Sequence, residues 1–226
     1  NFEALTTSGT VNNTVVDDAD ATSVTLTANA ANVTEGGSIV YTATVGSPVT
    51  GSPLVITLTG GTTITIPVGA SSANSAPVAV RADDAYTQGT EVVTRGITGT
   101  SGGNYEALTT SSTVSVNVTD DADATTVTLS SATNGNAITE GGSIVYTATV
   151  GAPVAGSPLL VTLSNGATIT IPVGSSSANS APVAVRADDV YVQGSQTLTA
   201  VTISSTSGGN FEALTTSGTV NNTVVD

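Results

Sequence analysis

Apolar and polar residues alternate along much of this chain in short runs. Ile39, Tyr41, Ala43 and Val45 occupy alternate positions, with threonine between several of them. Alternation of this kind is typical of a half-buried β-strand, because successive side chains point to opposite faces. Such runs, bounded by Gly, Pro and Asn, predict seven strands in the first half of the chain. They lie near residues 23–28, 38–45, 54–59, 62–68, 76–82, 91–98 and 111–119.

Long phrases of the sequence recur at a spacing of roughly 105 residues, which is the size of a domain. Thr-Glu-Gly-Gly-Ser-Ile-Val-Tyr begins at Thr34 and again at Thr139. Residues 1–17 are identical to residues 210–226. We therefore predict two full repeats, residues 17–120 and 121–226, after residues 1–16, which form the final strand of a preceding truncated repeat.

Seven short antiparallel strands in about a hundred residues indicate an immunoglobulin-like sandwich. The predicted fold is therefore all-β, with two tandem seven-stranded immunoglobulin-like β-sandwiches in an end-to-end rod. The sixth strand is less regular than the others, and the second repeat has one extra residue there, which predicts a β-bulge. Only about four residues separate the last strand of one repeat from the first strand of the next, so the connection is too short for free swinging.

Composition narrows the function. The chain has no Cys, His, Met or Trp, and its formal net charge is −14. An acidic surface disfavours nucleic acid and anionic membranes as partners, and no apolar run is long enough to span a bilayer. Without His, Cys or Lys there is no evident base to activate a nucleophile, and we therefore expect no enzyme.

The acids cluster instead of spreading over the sheets. Asp120-Asp121-Ala122-Asp123 repeats the tetrapeptide that begins at Asp17. In an antiparallel unit of seven strands, the turn after the first strand, the turn after the fifth strand and the end of the seventh strand lie at one end. The predicted metal ligands at this end are Glu35, Asp83, Asp84, Asp120, Asp121 and Asp123 in the first repeat, Glu140, Asp188, Asp189 and Asp226 in the second, and Asp17, Asp18 and Asp20 in the earlier copy of the tetrapeptide.

Many turn oxygens without imidazole or thiolate suit a hard cation and disfavour zinc or copper. Calcium accepts six to eight oxygens in adaptable geometry, whereas magnesium prefers an octahedron and keeps its waters. We therefore predict Ca²⁺, with more than one ion at each joint. The alternative is a solvated acidic loop, which is what most acidic runs are.

Four further residues have a weaker pattern. Glu106 and Glu212 lie in turns at the opposite end of each repeat, where the preceding repeat arrives, so that Glu212 could face Asp123 across the joint. A polar turn that caps a strand is an equal alternative. Arg81 and Arg186 precede the aspartate pairs by two residues and are expected to reduce their repulsion.

Several motifs in this sequence resemble motifs of known protein families. A last strand that ends in Asp-Asp-x-Asp, an Asp-Asp pair before Gln-Gly, and Glu-Gly after the first strand are similar to Calx-β sandwiches. Val-Thr-Glu-Gly-Gly-Ser-Ile-Val-Tyr-Thr-Ala-Thr-Val and Ser-Gly-Gly-Asn-Tyr-Glu-Ala-Leu-Thr more closely resemble tandem extender repeats of giant bacterial RTX adhesins of the biofilm and ice-binding kinds. The resemblance implies an extracellular rod at the bacterial cell surface, secreted by a type I system, that projects a ligand-binding region. Calcium would stiffen its domain junctions, and the partners would be neighbouring repeats of the same chain.

Two further hypotheses follow. In the first, the repeats themselves are adhesive modules for glycan, ice or another copy, although the chain has only five Tyr and two Phe to build sugar platforms. In the second, residues 1–16 replace their identical copy at 210–225 in a neighbouring molecule and give end-to-end self-association.

Overall fold

The computed structural model of the protein describes residues 3–226 and confirms the all-β prediction, because these residues form strands and no helix. The strands of the first repeat are β1 (Ala21–Ala28), β2 (Asn32–Thr34), β3 (Ser38–Ile39), β4 (Tyr41–Val45), β5 (Leu54–Leu58), β6 (Thr63–Ile66), β7 (Ser72–Asn74), β8 (Val78–Ala79), β9 (Glu91–Ser101), β10 (Ala107–Thr109) and β11 (Thr113–Thr119).

The second repeat carries twelve strands in a similar order. They are β12 (Ala124–Ser130), β13 (Ala137–Thr139), β14 (Ser143–Ile144), β15 (Thr147–Val150), β16 (Leu159–Leu163), β17 (Thr168–Ile171), β18 (Ser177–Asn179), β19 (Val183–Ala184), β20 (Gln196–Thr197), β21 (Ile203–Ser207), β22 (Ala213–Ser217) and β23 (Thr223–Val225).

The chain forms two compact units whose limits differ from those of the repeats. The first unit comprises the residues up to 31 together with 38–78 and 92–116. The second unit comprises 32–37, 79–91 and 117–226. The three acid-bearing segments of the first repeat therefore belong to the same compact unit as the second repeat.

The first unit is built on a four-stranded sheet in the order β10-β1-β4-β7 and on the antiparallel ladder of β6, β5 and β9. Strand β1 pairs in parallel with β10 and antiparallel with β4. Alternate residues of these strands are buried, as the hydrophobic pattern predicts, and the core includes Val24, Leu26, Tyr41, Ala43, Leu54, Ile56 and Ile64.

The second unit repeats this arrangement with a sheet in the order β18-β15-β12-β22 and a ladder of β17, β16 and β21. Strands β13, β23 and β20 form a further sheet. Its core includes Val127, Tyr146, Ala148, Leu159, Val161 and Ile169. In the same unit, β2 pairs in parallel with the end of β11.

Several predicted strands are shorter or divided. The predicted strand 38–45 is interrupted at Val40, whose N–H donates to Asn29 Oδ1 at 2.9 Å. The predicted strand 76–82 is reduced to β8, because Ser75 Oγ accepts the Tyr41 N–H and Pro77 has no N–H to donate. The sixth strand is bulged in both repeats, since the registers shift at Thr57/Leu58 and at Thr162/Leu163.

Residues 3–20 form no strand and are exposed, so the segment predicted as an orphan final strand is not paired with another strand over its described part. Asn1 and Phe2 of that segment lie outside the described residues. A single strand without a sheet neighbour has no partner for its backbone hydrogen bonds. The identical residues 213–217 and 223–225 form β22 and β23.

Candidate metal site

Parallel pairing of β2 with β11 brings the first acidic residues together. The register joins Asn32 to Asn117 and Thr34 to Thr119. The next residue, Glu35, donates its backbone N–H to Thr119 O at 3.0 Å. Glu35 therefore lies beside Asp120, the residue that follows β11.

Arg81 holds the site together. Its Nε donates to Glu35 Oε2 at 2.7 Å, its Nη2 to Asp120 Oδ1 at 2.9 Å, and its Nη1 to the backbone oxygen of Gly89 at 2.8 Å. The hydrogen bond to Glu35 is the main cause that raises the pKa of Arg81 above its ordinary value. One guanidinium thus ties together three separate segments of the chain. Its carboxylate partners are Glu35 and Asp120, and not the Asp83-Asp84 pair whose repulsion it was expected to reduce.

The loop that follows Arg81 is fixed by two of the predicted ligands. Asp84 Oδ1 accepts the backbone N–H of Tyr86 at 2.8 Å, and Asp84 Oδ2 accepts from the side chain of Gln88. Asp120 Oδ2 accepts the backbone N–H of Gln88 at 2.9 Å. Asp84 and Asp120 therefore use both of their oxygens within the protein and shape the loop.

Five other acids form the candidate ligand set. One carboxylate oxygen from each of Glu35, Asp121 and Glu212 lies within 4.8 Å of the other two. Asp83, Asp121 and Asp123 form a second group of the same dimensions. Asp121 is common to both groups, so the five carboxylates are continuous. A site of this size, lined with oxygen atoms alone, suits a hard divalent cation.

Two of these carboxylates carry an oxygen with no partner. Glu35 is only 5% exposed, and its Oε1 has no hydrogen-bond partner among the described residues. Glu212 Oε1 is likewise buried and without a partner. A buried, ionised oxygen that no donor contacts is strongly unfavourable, and the usual remedies are a bound cation or protonation. The residues present therefore fit a bound metal ion.

The charges of the cluster also affect proton binding. The pKa of Asp83 is raised, mainly by the negative charge of Asp123. Burial and the charges of Asp121, Glu35 and Asp84 raise it further. For Glu212, the hydrogen bond from the Asp123 backbone lowers the pKa. Burial and the charges of Asp120, Glu35 and Asp123 outweigh that bond, so the net pKa of Glu212 is raised. Without a cation, their surroundings therefore favour the protonated forms of Asp83 and Glu212.

Glu212 reaches the cluster because its turn packs against the loop after Arg81. The Glu212 N–H donates to Ala85 O at 3.2 Å, and the Thr87 N–H donates to Asn210 O at 3.1 Å. The Asn210 side chain returns a hydrogen bond to Thr87 O at 3.2 Å. Beside them Tyr86 stacks on Phe211, with ring centroids 5.4 Å apart.

A protein-family model described as the LapA domain matches residues 20–121 and, a second time, residues 123–226. The chain belongs to the LapA domain family. LapA is a large adhesion protein of bacterial biofilms. The resemblance to tandem repeats of bacterial adhesins is therefore confirmed, and the chain is a pair of modules associated with cell-surface adhesins. The family is non-enzymatic in kind.

No curated protein matches the chain. Among residues 3–226, no helix could cross a membrane.

The second LapA repeat carries the same arginine framework. Arg186 Nε donates to Glu140 Oε2 at 2.8 Å, Arg186 Nη1 donates to Gly194 O at 2.8 Å, and Arg186 Nη2 bonds Asp226. Asp189 accepts the Tyr191 N–H at 2.7 Å. Asp188 is exposed. Within residues 3–226, the groups of acids close enough to share an ion do not include Glu140, Asp188, Asp189 or Asp226.

The acidic tetrapeptide that opens the first LapA repeat is also separate. Asp17, Asp18 and Asp20 are exposed and belong to none of the clusters found among the described residues. The Asp20 backbone N–H bonds Glu106 Oε2, just as the Asp123 N–H bonds Glu212 Oε2 in the following LapA repeat. The two glutamates, Glu106 and Glu212, therefore play the same structural part at the start of each repeat.

Glu212 belongs to the candidate ligand set of the structure, and the ligands predicted from the sequence did not include it. The sequence signal was its place in a turn at the end that receives the preceding repeat, but that signal applies equally to Glu106. Only the contact between the Asn210–Glu212 turn and the loop after Arg81 distinguishes them. The sequence does not encode that contact locally.

Proposed function

We propose that this pair of LapA repeats is a calcium-stiffened extender of a cell-surface adhesin. The observation that carries the proposal is the pair of buried carboxylate oxygens without partners, on Glu35 and Glu212, in a cluster that Asp121 shares. Ca²⁺ accepts such oxygen ligands in adaptable geometry. The proposed ligands are Glu35, Asp83, Asp121, Asp123 and Glu212, whereas Asp84, Asp120 and Arg81 position them.

The ligands come from segments that a mobile connection would separate. Glu35 and Asp83 lie in turns of the first repeat, Asp121 and Asp123 lie in the connection, and Glu212 lies in a turn of the second repeat. When it is bound, calcium supplies the positive charge that this set lacks. The carboxylates then favour one mutual arrangement, and without the ion they repel one another. Millimolar extracellular calcium would fill even a weak site of this kind.

The fold and the location expected from the sequence are consistent with an extender. We infer immunoglobulin-like sandwiches for residues 17–120 and 121–226, in a protein exported to the bacterial cell surface by a type I system. In this reading the repeats serve as spacers, and the ligand-binding region lies elsewhere in the parent adhesin. The apolar contact of Tyr86 with Phe211 supports a fixed junction, because stacked aromatic rings restrict rotation of the two turns.

Small-angle X-ray scattering of the whole chain, with calcium and then with chelator, tests the proposal. We expect a longer maximum dimension and a narrower distance distribution with calcium. Glu212→Gln should abolish that difference, and Glu106→Gln, at the matching position of the first repeat, should leave it intact. An identical, rigid profile in both solutions would refute calcium stiffening.

A further inference from the structure

The final segments of the two LapA repeats are closely similar in sequence. Residues 107–120 and 213–226 differ at five of fourteen positions. Other parts of the repeats are also alike, since residues 34–46 are identical to residues 139–151. Similar neighbours in one chain can exchange strands during folding, which is a characteristic failure of repeat proteins. Two of the five differences lie at contacts that distinguish the repeats.

The first of these differences is Ser112 against Gly218. In the first repeat, Ser112 Oγ accepts the backbone N–H of Leu26 at 2.9 Å. In the second repeat, Gly218 has φ of +90°, and a Cβ there would overlap the backbone oxygen of Leu129, the counterpart of Leu26. A segment with glycine at this position takes away the acceptor of the Leu26 N–H, and a segment with serine collides with the second repeat.

The second difference is Val116 against Asn222, at a buried position of the segment. Val116 is fully buried, and Asn222 is 5% exposed. Asn222 Nδ2 donates to the backbone oxygens of Thr133 and Asn136, the latter at 3.1 Å. Its Oδ1 is buried and has no partner among residues 3–226. A buried carboxamide with an unpaired oxygen is costly where the other repeat has valine, so stability alone does not account for this asparagine.

The loop that binds Asn222 is longer than its counterpart in the first repeat. Thr139 follows Leu129 by ten positions, whereas Thr34 follows Leu26 by eight. The longer loop also bonds the backbone of the final segment, because Gly135 N–H donates to Asn221 O at 2.7 Å. The side chain of Asn134 accepts the Asn221 N–H at 2.8 Å. The loop and the asparagine therefore belong together.

We propose that Ser112 and Val116, and at the matching positions Gly218 and Asn222, assign each final segment to its own repeat and prevent exchange between the repeats. In the first repeat, the wrong segment would bury a carboxamide without its two acceptors. In the second repeat, the wrong segment would place a serine Cβ against the Leu129 oxygen. Specificity is the difference between the right and the wrong partner, and a single buried asparagine sets strand pairing in coiled coils in the same way.

Refolding of the whole chain with pairs of engineered cysteines tests the proposal, because the sequence contains no cysteine. Asn32 and Asn117 are register partners in the first repeat, and their side chains meet at 3.0 Å. Ala137 and Thr223 are the matching partners in the second repeat. A disulfide in the variant Ala137→Cys/Thr223→Cys reports correct pairing. A disulfide in the variant Asn32→Cys/Thr223→Cys reports a final segment in the wrong repeat.

Each cysteine variant is refolded from denaturant at constant calcium and then oxidised, and mass spectrometry gives the cross-linked fraction. With no other substitution, we expect the correct cross-link to form and the wrong one to be rare. Gly218→Ser with Asn222→Val gives the second final segment the residues of the first, so the wrong cross-link should increase about tenfold or more. Adding Ser112→Gly and Val116→Asn should increase it further, because the competing segment then no longer fits the first repeat.

The matched control is Asn221→Ser with Val225→Thr, which converts two other positions at which the segments differ. The side chain of Asn221 is exposed, and neither side chain makes the contacts described above. The control should leave the wrong cross-link at its original level. An equal increase in the control would overturn the proposal, because overall similarity of the segments would then decide the pairing.

The chain with all four positions exchanged gives the strictest test. A wrong cross-link that stays rare in this chain would overturn the proposal. Loss of both cross-links would overturn it as well, since the four residues would then be needed for folding and would not choose between the repeats.

Discussion

A carboxylate oxygen of Glu35 lies within 4.8 Å of a carboxylate oxygen of Glu212, and each residue has a buried Oε1 with no partner. The two residues come from different LapA repeats. Glu35 is placed by its backbone bond to Thr119, and Glu212 is placed by its backbone bond to Ala85. Backbone hydrogen bonds thus hold two like charges close together, and a cation between them would remove the conflict.

Replacement of Glu212 by Gln should have opposite effects with and without calcium. In chelator the variant loses a carboxylate that its neighbours disfavour, so the melting temperature should rise by about 2–5 °C. In calcium it loses a ligand, so calcium affinity should fall by at least about tenfold. Differential scanning calorimetry and isothermal titration calorimetry measure the two effects.

The matched control is Glu106→Gln, because Glu106 makes the same backbone bond to Asp20 without entering the cluster. In dilute solution this variant should keep wild-type calcium affinity. Equal losses of affinity in the two variants would contradict the assignment of Glu212 as a ligand.

Acid should weaken the stabilisation by calcium. The raised pKa values of Asp83 and Glu212 mean that the native, metal-free protein holds protons that the unfolded chain releases. The contribution of these two groups to stability is therefore most favourable below the unfolded pKa values of about 4, and it declines as pH rises through the raised native values. Calcium binds the deprotonated forms, so the stabilisation by calcium increases as pH rises.

The difference in melting temperature between calcium and chelator should accordingly widen from about pH 4.5 to pH 7. Thermal unfolding at several pH values, with the ion concentration held constant, measures it. A difference that is independent of pH would show that calcium acts away from these carboxylates.

Replacement of Arg81 by Gln should destabilise the protein even in chelator. Arg81 is the charged partner of the buried Glu35 carboxylate, and its removal leaves that charge without compensation. We expect the melting temperature to fall by roughly 10 °C. The positioning of Glu35 and Asp120 would also be lost, so calcium affinity should fall about 10–100-fold.

Arg186→Gln provides the comparison, because Arg186 has the same partners in the second repeat. It should lower the melting temperature similarly and leave the affinity of the Glu35–Glu212 site unchanged. If both arginine variants bind calcium like the wild type, Arg81 does not position the ligands.

Gly36→Ala should disturb the site through Asp83. A Cβ at this position would lie 2.9 Å from Asp83 Cβ, and the φ of Gly36 is +70°. Gly174→Ala is the control, because its φ is also positive and an added Cβ meets nothing within 4 Å. Both variants should lose about 1–3 kcal/mol of stability from backbone strain. Only Gly36→Ala should also lose calcium affinity, as titration calorimetry would show.

Alternating residues predicted the interior well. Tyr41, Ala43 and Val45 are buried on one side of β4, as their spacing requires. The limits of several strands depend on side chains far away in sequence. Val40 leaves the sheet because the side chain of Asn29 takes its N–H, and propensity alone cannot reveal such a replacement.

The candidate site, like the fold, was predicted from the sequence only in part. Strand direction predicted that Glu35, Asp83 and Asp121 would lie at one end, and the structure brings them into two connected groups. It also shows that Asp120 and Asp84 are engaged by Arg81, Gln88 and Tyr86. Which acids bind protein donors and which remain without partners depends on distances of about an ångström, which spacing in the sequence does not determine.

Anomalous diffraction from crystals of the whole chain grown in calcium is the most direct test of the central claim. The account predicts anomalous difference peaks at about 2.3–2.6 Å from carboxylate oxygens of Glu35, Asp121 and Glu212. Well-ordered carboxylates of these three residues in open solvent, with no peak among them, would contradict it.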